Sequence, residues 1–187
     1  MNLTNHFLVA MPKMQDPNFK GSVVYICEHN DEGAMGIVIN LPIEISVGNM
    51  LDQIEIEREL PVRDHSCLEQ PVFNGGPVSA DRGFVLHNRV GRLSSSIDVT
   101  DEVSITTSKD ILSLLGTSES PDNFLVALGY AGWDAGQLEQ ELIENVWLTT
   151  EANTDVVFNT PINERWKKAI AQLGISAAHL STEQGHA

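Results

Sequence analysis

Two kinds of apolar pattern alternate along the chain. Phe124–Leu128 is an unbroken apolar run between Pro121 and Gly129. Its length and flanking breakers predict a strand buried on both faces rather than a helix. Ser22–His29, rich in β-branched residues, predicts a second strand, and Asn30–Gly33 turns it back onto Ala34–Asn40 as a hairpin. Both arms are apolar on both faces, which puts the hairpin in the middle of a sheet. Phe7–Met11 predicts a short strand stopped by Pro12. Val72-Phe73 and Phe84–His87 predict two more, the latter after an Asp81-Arg82-Gly83 turn. Ile97 and Val99, then Val103 and Ile105, alternate with polar residues as a half-exposed antiparallel pair does.

Helical spacing takes over elsewhere. Val47–Ile54 predicts a short helix capped by Ser46, and Ile111–Leu115 another, capped by Ser108 and stopped by Gly116. After Leu128 come Gly129, Gly132 and Gly136 with Tyr130 and Trp133 between them, read as a glycine-rich turn. Asp134 followed by Gln137 has capping-box spacing, and Leu138, Leu142, Ile143 and Val146 then share one helical face. Trp147–Thr150 predicts a strand. Thr160 and Pro161 open a helix whose stripe is Ile162, Trp166, Ala169, Ile170 and Leu173, ended by Gly174. Glu44–Glu69, acidic and poor in periodic apolar residues after Glu55, predicts a solvated excursion. Strands come in hairpins and helices interleave only later, so the class is α+β with a mainly antiparallel sheet in a single domain spanning 1–187.

Charge narrows the partners. The 187 residues carry a formal net charge of -15, which repels nucleic-acid phosphates and anionic lipid headgroups. Lys167 and Lys168 are the one adjacent basic pair. Direct nucleic-acid binding and membrane association are therefore not expected, and a protein or small-molecule partner is. Two cysteines, Cys27 and Cys67, make no disulfide framework and fit a reducing compartment. The N-terminus lacks the basic start and long apolar stretch of a signal peptide, so a cytoplasmic location is expected.

The candidate chemistry is sparse. Cys27 and His29 lie two apart in a predicted strand, so on regular alternation both face one side. A thiol and an imidazole there read as nucleophile and base, as metal ligands, or as a core residue and a turn anchor. Their Cα atoms would stand about 6.6 Å apart on an extended chain. His87 ends a strand, and His186 lies one residue from the C-terminus; convergence of His29, His87 and His186 would favour a metal. Asn74-Gly75-Gly76-Pro77 reads as an anion-binding nest or as a plain turn. Trp133, Asp134 and Gln137 read as a ligand wall with polar contacts, or as core plug and cap. No G-x-S-x-G, H-E-x-x-H or P-loop pattern occurs, and no cofactor is expected.

Four stretches in order carry a resemblance: Phe7–Asn40, Asn74–His87 (NGGPVSADRGFVLH), Leu128–Leu148 (LGYAGWDAGQLEQELIENVWL) and Leu180–Ala187 (LSTEQGHA). The chain resembles the AlgH, or YqgE, family of bacterial proteins along its whole length. The resemblance implies an α+β fold whose barrel-like, bifurcated sheet is flanked by helices. It also brings a label of transcriptional regulator of alginate synthesis, and no catalytic residues to carry over. The family often has Asn-Arg-Pro where this chain has Asn40-Leu41-Pro42. Together these readings point to a cytoplasmic binding or regulatory module without its own catalysis. The alternative is a small hydrolase or thiol-dependent enzyme using Cys27 and His29.

Overall fold

A computed structural model describes residues 1–91 and 93–174. In chain order the strands and helices are β1 (His6–Ala10), β2 (Val23–Asn30), β3 (Gly33–Val38), β4 (Pro42–Ser46), α1 (Val47–Gln53), β5 (Pro71–Asn74), β6 (Val78–Asn88), β7 (Ser96–Asp98), β8 (Val103–Thr106), α2 (Lys109–Leu114), β9 (Phe124–Asp134), α3 (Gln137–Ile143), β10 (Trp147–Glu151), α4 (Thr154–Phe158) and α5 (Arg165–Ala171). Single 3-10 turns occupy Ser66–Glu69 and Ile162–Glu164. The fold is α+β: a mainly antiparallel sheet in the order β10-β1-β2-β3-β9-β6-β8-β7, curled into a half-barrel, with β4 and β5 attached beside it.

β9 is the strand on which the sheet forks. Its first half pairs parallel with β5, through Phe73↔Ala127 and Asn74↔Leu128. Its second half pairs antiparallel with β3, from Gly36↔Ala131 to Gly33↔Asp134. β6 runs along the other edge. Gly75 sits in the fork, donating its N–H to the Leu128 carbonyl (2.8 Å) and accepting from Val38 N–H (2.9 Å). A Cβ on Gly75 would lie 2.3 Å from the Gly129 carbonyl oxygen, so only glycine fits there.

Three apolar layers follow from this topology. The concave face buries Phe7, Tyr25, Ile37, Leu86 and Leu125, closed at one end by Val156 and Val157 of α4 and Ala169 and Ile170 of α5. Behind β1–β3, Leu8, Val24, Ile26 and Trp133 pack with Leu138 of α3 and with Trp147. Behind β5, β6 and β9, Val72, Val85 and Val126 pack with Leu51 of α1 and Ile111 of α2.

Several elements differ from the sequence reading. The expected glycine-rich turn after Leu128 is strand through Asp134. A glycine inside a strand costs roughly 0.5–1 kcal/mol. Burying a large side chain returns about 1.5–3 kcal/mol, and Trp133 and Ala131 both reach the back layer, so pairing wins. Gly129, at φ 77, shifts the alternation by one position. Leu125 and Ala127 face the concave layer before it, and Tyr130 does so after it.

The Asp81-Arg82-Gly83 turn is likewise an irregular stretch within β6, where the register against β9 slips between Val78 and Gly83. Pro42 opens β4, and α4 had no sequence forecast. The last helix begins as a 3-10 turn and becomes α-helical at Arg165. Ser46 caps α1 as expected, accepting from Asn49 N–H at 3.1 Å. Ile143, expected on the apolar stripe of α3, is exposed.

Candidate functional site

The α4–α5 pair fills one end of the concave face and leaves the other open. The open end is a cleft of about 780 Å³. Its floor is Met35, Phe84, Ile105 and Tyr130, continuous with the concave core. Phe84 and Tyr130 meet edge to face with ring centroids 5.4 Å apart. Val78 (37% exposed) and Ile97 (50% exposed) extend the apolar surface to the rim.

The polar groups are arranged by wall. Glu28 and Glu32 stand on the β2–β3 side, with Asp134 at the end of β9. Arg82 stands on β6, its guanidinium 5.7 Å from the Phe84 ring centroid. Ser95, Ser96 and Thr107 border the β7–β8 side. The two ion pairs among the described residues are His29–Glu139 and Arg89–Asp98, the latter at 3.0 Å. Arg82 and the three cleft carboxylates take part in neither.

A bulge decides the fate of Cys27 and His29. The register of β2 against β3 slips between Ile26 and Glu28, so Cys27 is the extra residue. Alternation restarts beyond it. Cys27 faces the concave core at 2% exposure, while His29 turns to the back of the sheet. The two side chains are not brought together. The Cys27 thiol donates to the Tyr25 carbonyl (3.7 Å), and burial, with the charge of Glu28 adding, raises its pKa far above the ordinary thiol range. A buried, protonated thiol is a poor nucleophile.

His29 is a clamp. Its Nδ1 accepts from Leu3 N–H (2.9 Å), so Nε2 carries the proton and donates to Glu139 Oε1. Its own N–H donates to Thr4 Oγ1 (3.1 Å). The Glu139 carboxylate is held below its ordinary range by its own backbone N–H at the start of α3 and by the His29 ring.

His87 lies elsewhere. It pairs with Phe124 at the start of β9, whereas His29 pairs with Ala34, opposite Trp133. At roughly 3.3 Å per residue, the stretch from Phe124 to Trp133 separates the two histidines by most of the sheet. His87 donates Nδ1–H to the Asn88 carbonyl (2.7 Å), and its Nε2 pairs with the Thr106 hydroxyl (2.7 Å). Burial lowers its pKa, against the opposing pull of the Asn88 carbonyl and Asp98. His186 lies outside the described residues. Among those described, no group of three or more His, Cys, Asp or Glu is placed to hold a metal ion.

The remaining candidates fall in three places. Gly75 and Gly76 form the fork, and their amides are in use: Gly75 N–H on Leu128, Gly76 N–H on the Asn74 side chain (3.2 Å). Trp133 borders the cleft, but its ring packs behind the sheet, 6.3 Å from Phe19 and 6.2 Å from Trp147. Gln137 reaches back to Asp134 N–H (3.0 Å), which is half of the expected capping box. The other half is missing, since Gly136 rather than Asp134 precedes α3 and no side chain caps it. The Asp134 carboxylate is thereby left at the cleft.

Sequence reasoning named Asp134 but missed Arg82, Tyr130, Glu28 and Glu32. For Tyr130 the signal was the alternation along β9, which reads correctly only after the shift at Gly129. It also missed Arg165, which is buried without a carboxylate. Arg165 donates to the carbonyls of Thr160 (3.0 Å) and Ile39 and lies over the Phe73 ring, and burial pushes its pKa down to about 10.

The family model described as DUF179, AlgH-like, matches residues 7–178. The chain belongs to the AlgH-like family. A UPF0301 protein of Photobacterium profundum is 71% identical over 187 residues, all of both chains. A UPF0301 protein of Vibrio cholerae is 60% identical over the same full span. The solution structure of the AlgH protein from Pseudomonas aeruginosa is similar at TM-score 0.79 and 43% identity, covering 100% of this chain and 97% of that one. A crystal structure of a Corynebacterium diphtheriae protein, TM-score 0.68 at 18% identity over 90% and 85% of the two chains, shares the AlgH-like fold. Among the described residues of this AlgH-like chain, no helix is long and apolar enough to cross a membrane.

Proposed function

We propose that this AlgH-like protein is a single-domain cytoplasmic binding or regulatory module without its own catalysis, and that its ligand enters the open end of the half-barrel. One observation carries the reading. The cleft joins an apolar aromatic floor to a rim of charged groups, Arg82, Glu28, Glu32 and Asp134, that the described ion pairs leave unused. Barrel mouths with a few convergent polar groups over an apolar lining are common ligand sites. A buried, protonated Cys27 turned away from His29 supports binding over thiol chemistry. Two free cysteines support a reducing compartment. The net charge of -15 supports a protein or small-molecule partner over nucleic acid or membrane. A panel of metabolites and fragments, followed by melting temperature, tests the reading with Tyr130→Glu beside the wild type. Stabilising compounds that lose their effect in the variant are the expected result. Compounds that stabilise both proteins equally, or a panel that stabilises neither, would count against it.

A further inference from the structure

Two walls of the sheet border the cleft at the open end of the half-barrel. One is the β2–β3 side with Glu28 and Glu32, next to Asp134. The other is β7, last in the strand order, which contributes Ser96 and Ile97. β7 pairs with β8 along one edge, and its second edge has no strand partner among the described residues. A free edge offers a row of N–H and C=O groups to another strand. Inside the opening, Ile97 and Val78 stay exposed over Phe84 and Tyr130. Three carboxylates face one cation, and that cation, Arg82, already rests against a ring.

Resting on the cleft as the binding site, we propose that its occupant is an extended polypeptide segment, basic and apolar, that adds to β7 as a further strand. The main chain of the segment lies along the open edge of β7. Side chains alternate across a strand, so one row points into the cleft. That row needs apolar residues over Ile97, Phe84 and Tyr130, and Lys or Arg toward Glu28, Glu32 and Asp134. Strand addition takes its affinity from main-chain hydrogen bonds and its selectivity from the alternate side chains. The negative field of the whole chain speeds the approach of a cationic segment.

The test uses a fluorescein-labelled Val-Thr-Lys-Thr-Val-Thr-Lys-Thr peptide on the full chain, read by anisotropy. Beside it run the same peptide with glutamate for lysine and one N-methylated at alternate amides. The lysine peptide should bind and the other two should not. The E28Q/E32Q/D134N variant should weaken binding about tenfold, the sum of three modest exposed ion pairs. The control E55Q/E57Q/E59Q, on the exposed acidic stretch away from the cleft, should leave it unchanged. Equal binding of the N-methylated or glutamate peptide, or equal loss in the control, overturns the proposal. Fragments that occupy the cleft while the lysine peptide does not would leave the cleft reading standing and this one refuted. Self-association lost in the triple variant would make the occupant a second copy and refute it as well.

Discussion

Cys27 and His29 face opposite layers of the same sheet, although they are two residues apart in one strand. The bulge between Ile26 and Glu28 separates them, giving Cys27 to the concave core and His29 to the back. Thiol titration follows directly. Cys67, half-exposed, should react with a disulfide reagent in the native protein, and Cys27 only after unfolding. Rapid native labelling of Cys27, located by mass spectrometry, would mean the thiol is open to solvent.

His29 ties the N-terminal segment to α3. His29→Ala leaves the Leu3 N–H without its acceptor and Glu139 without its donor. Losing buried partners of this kind costs about 1–3 kcal/mol. Denaturant unfolding should show that loss, and hydrogen exchange should rise first at Leu3 and Thr4. An unchanged exchange pattern at Leu3 would show that the clamp holds nothing.

His87 gives the protein a defined response to acid. Its pKa is lowered chiefly by burial, so the folded state prefers the neutral ring. As pH falls through about 6.5, the ordinary histidine value, the unfolded chain takes up the proton first. Stability from this residue is complete above that pH and declines as pH approaches the lower folded value. His87→Gln should flatten the fall in melting temperature between pH 7 and pH 5 relative to the wild type. Parallel curves for the two proteins would contradict the assignment.

Gly129 is required by the fork. At φ 77 a side chain there is strained, and its Cβ would lie 2.3 Å from the Gly76 carbonyl oxygen. Gly129→Ala should destabilise by about 3 kcal/mol or more, combining left-handed strain with a backbone clash. Gly91→Ala, where nothing lies within 4 Å, should change stability little. Equal melting temperatures for the two variants would remove the close approach from the account.

The legible parts of the fold were those governed by local pattern. The hairpin from Ser22 to Asn40 and the run Phe124–Leu128 declared themselves through apolar content, and Ser46 through its cap. The illegible parts depended on pairing across the sheet. Gly129–Asp134 has the composition of a turn, yet its partner β3 keeps it extended. A single extra residue at Cys27 reversed the face of His29, and strict alternation cannot register that. The cleft lay beyond reach for the same reason: Met35, Phe84, Ile105 and Tyr130 come from four strands, and only the curl of the sheet makes them neighbours.

The most direct test is methyl NMR of the full chain during titration with a compound or peptide that raises its melting temperature. The account predicts shifts concentrated at Met35, Val78, Ile97 and Ile105 around the cleft, with Ile26 and Val126 behind the sheet unmoved. Shifts centred on Ile26, Val126 or the α1–α2 layer, with the cleft methyls silent, would contradict it.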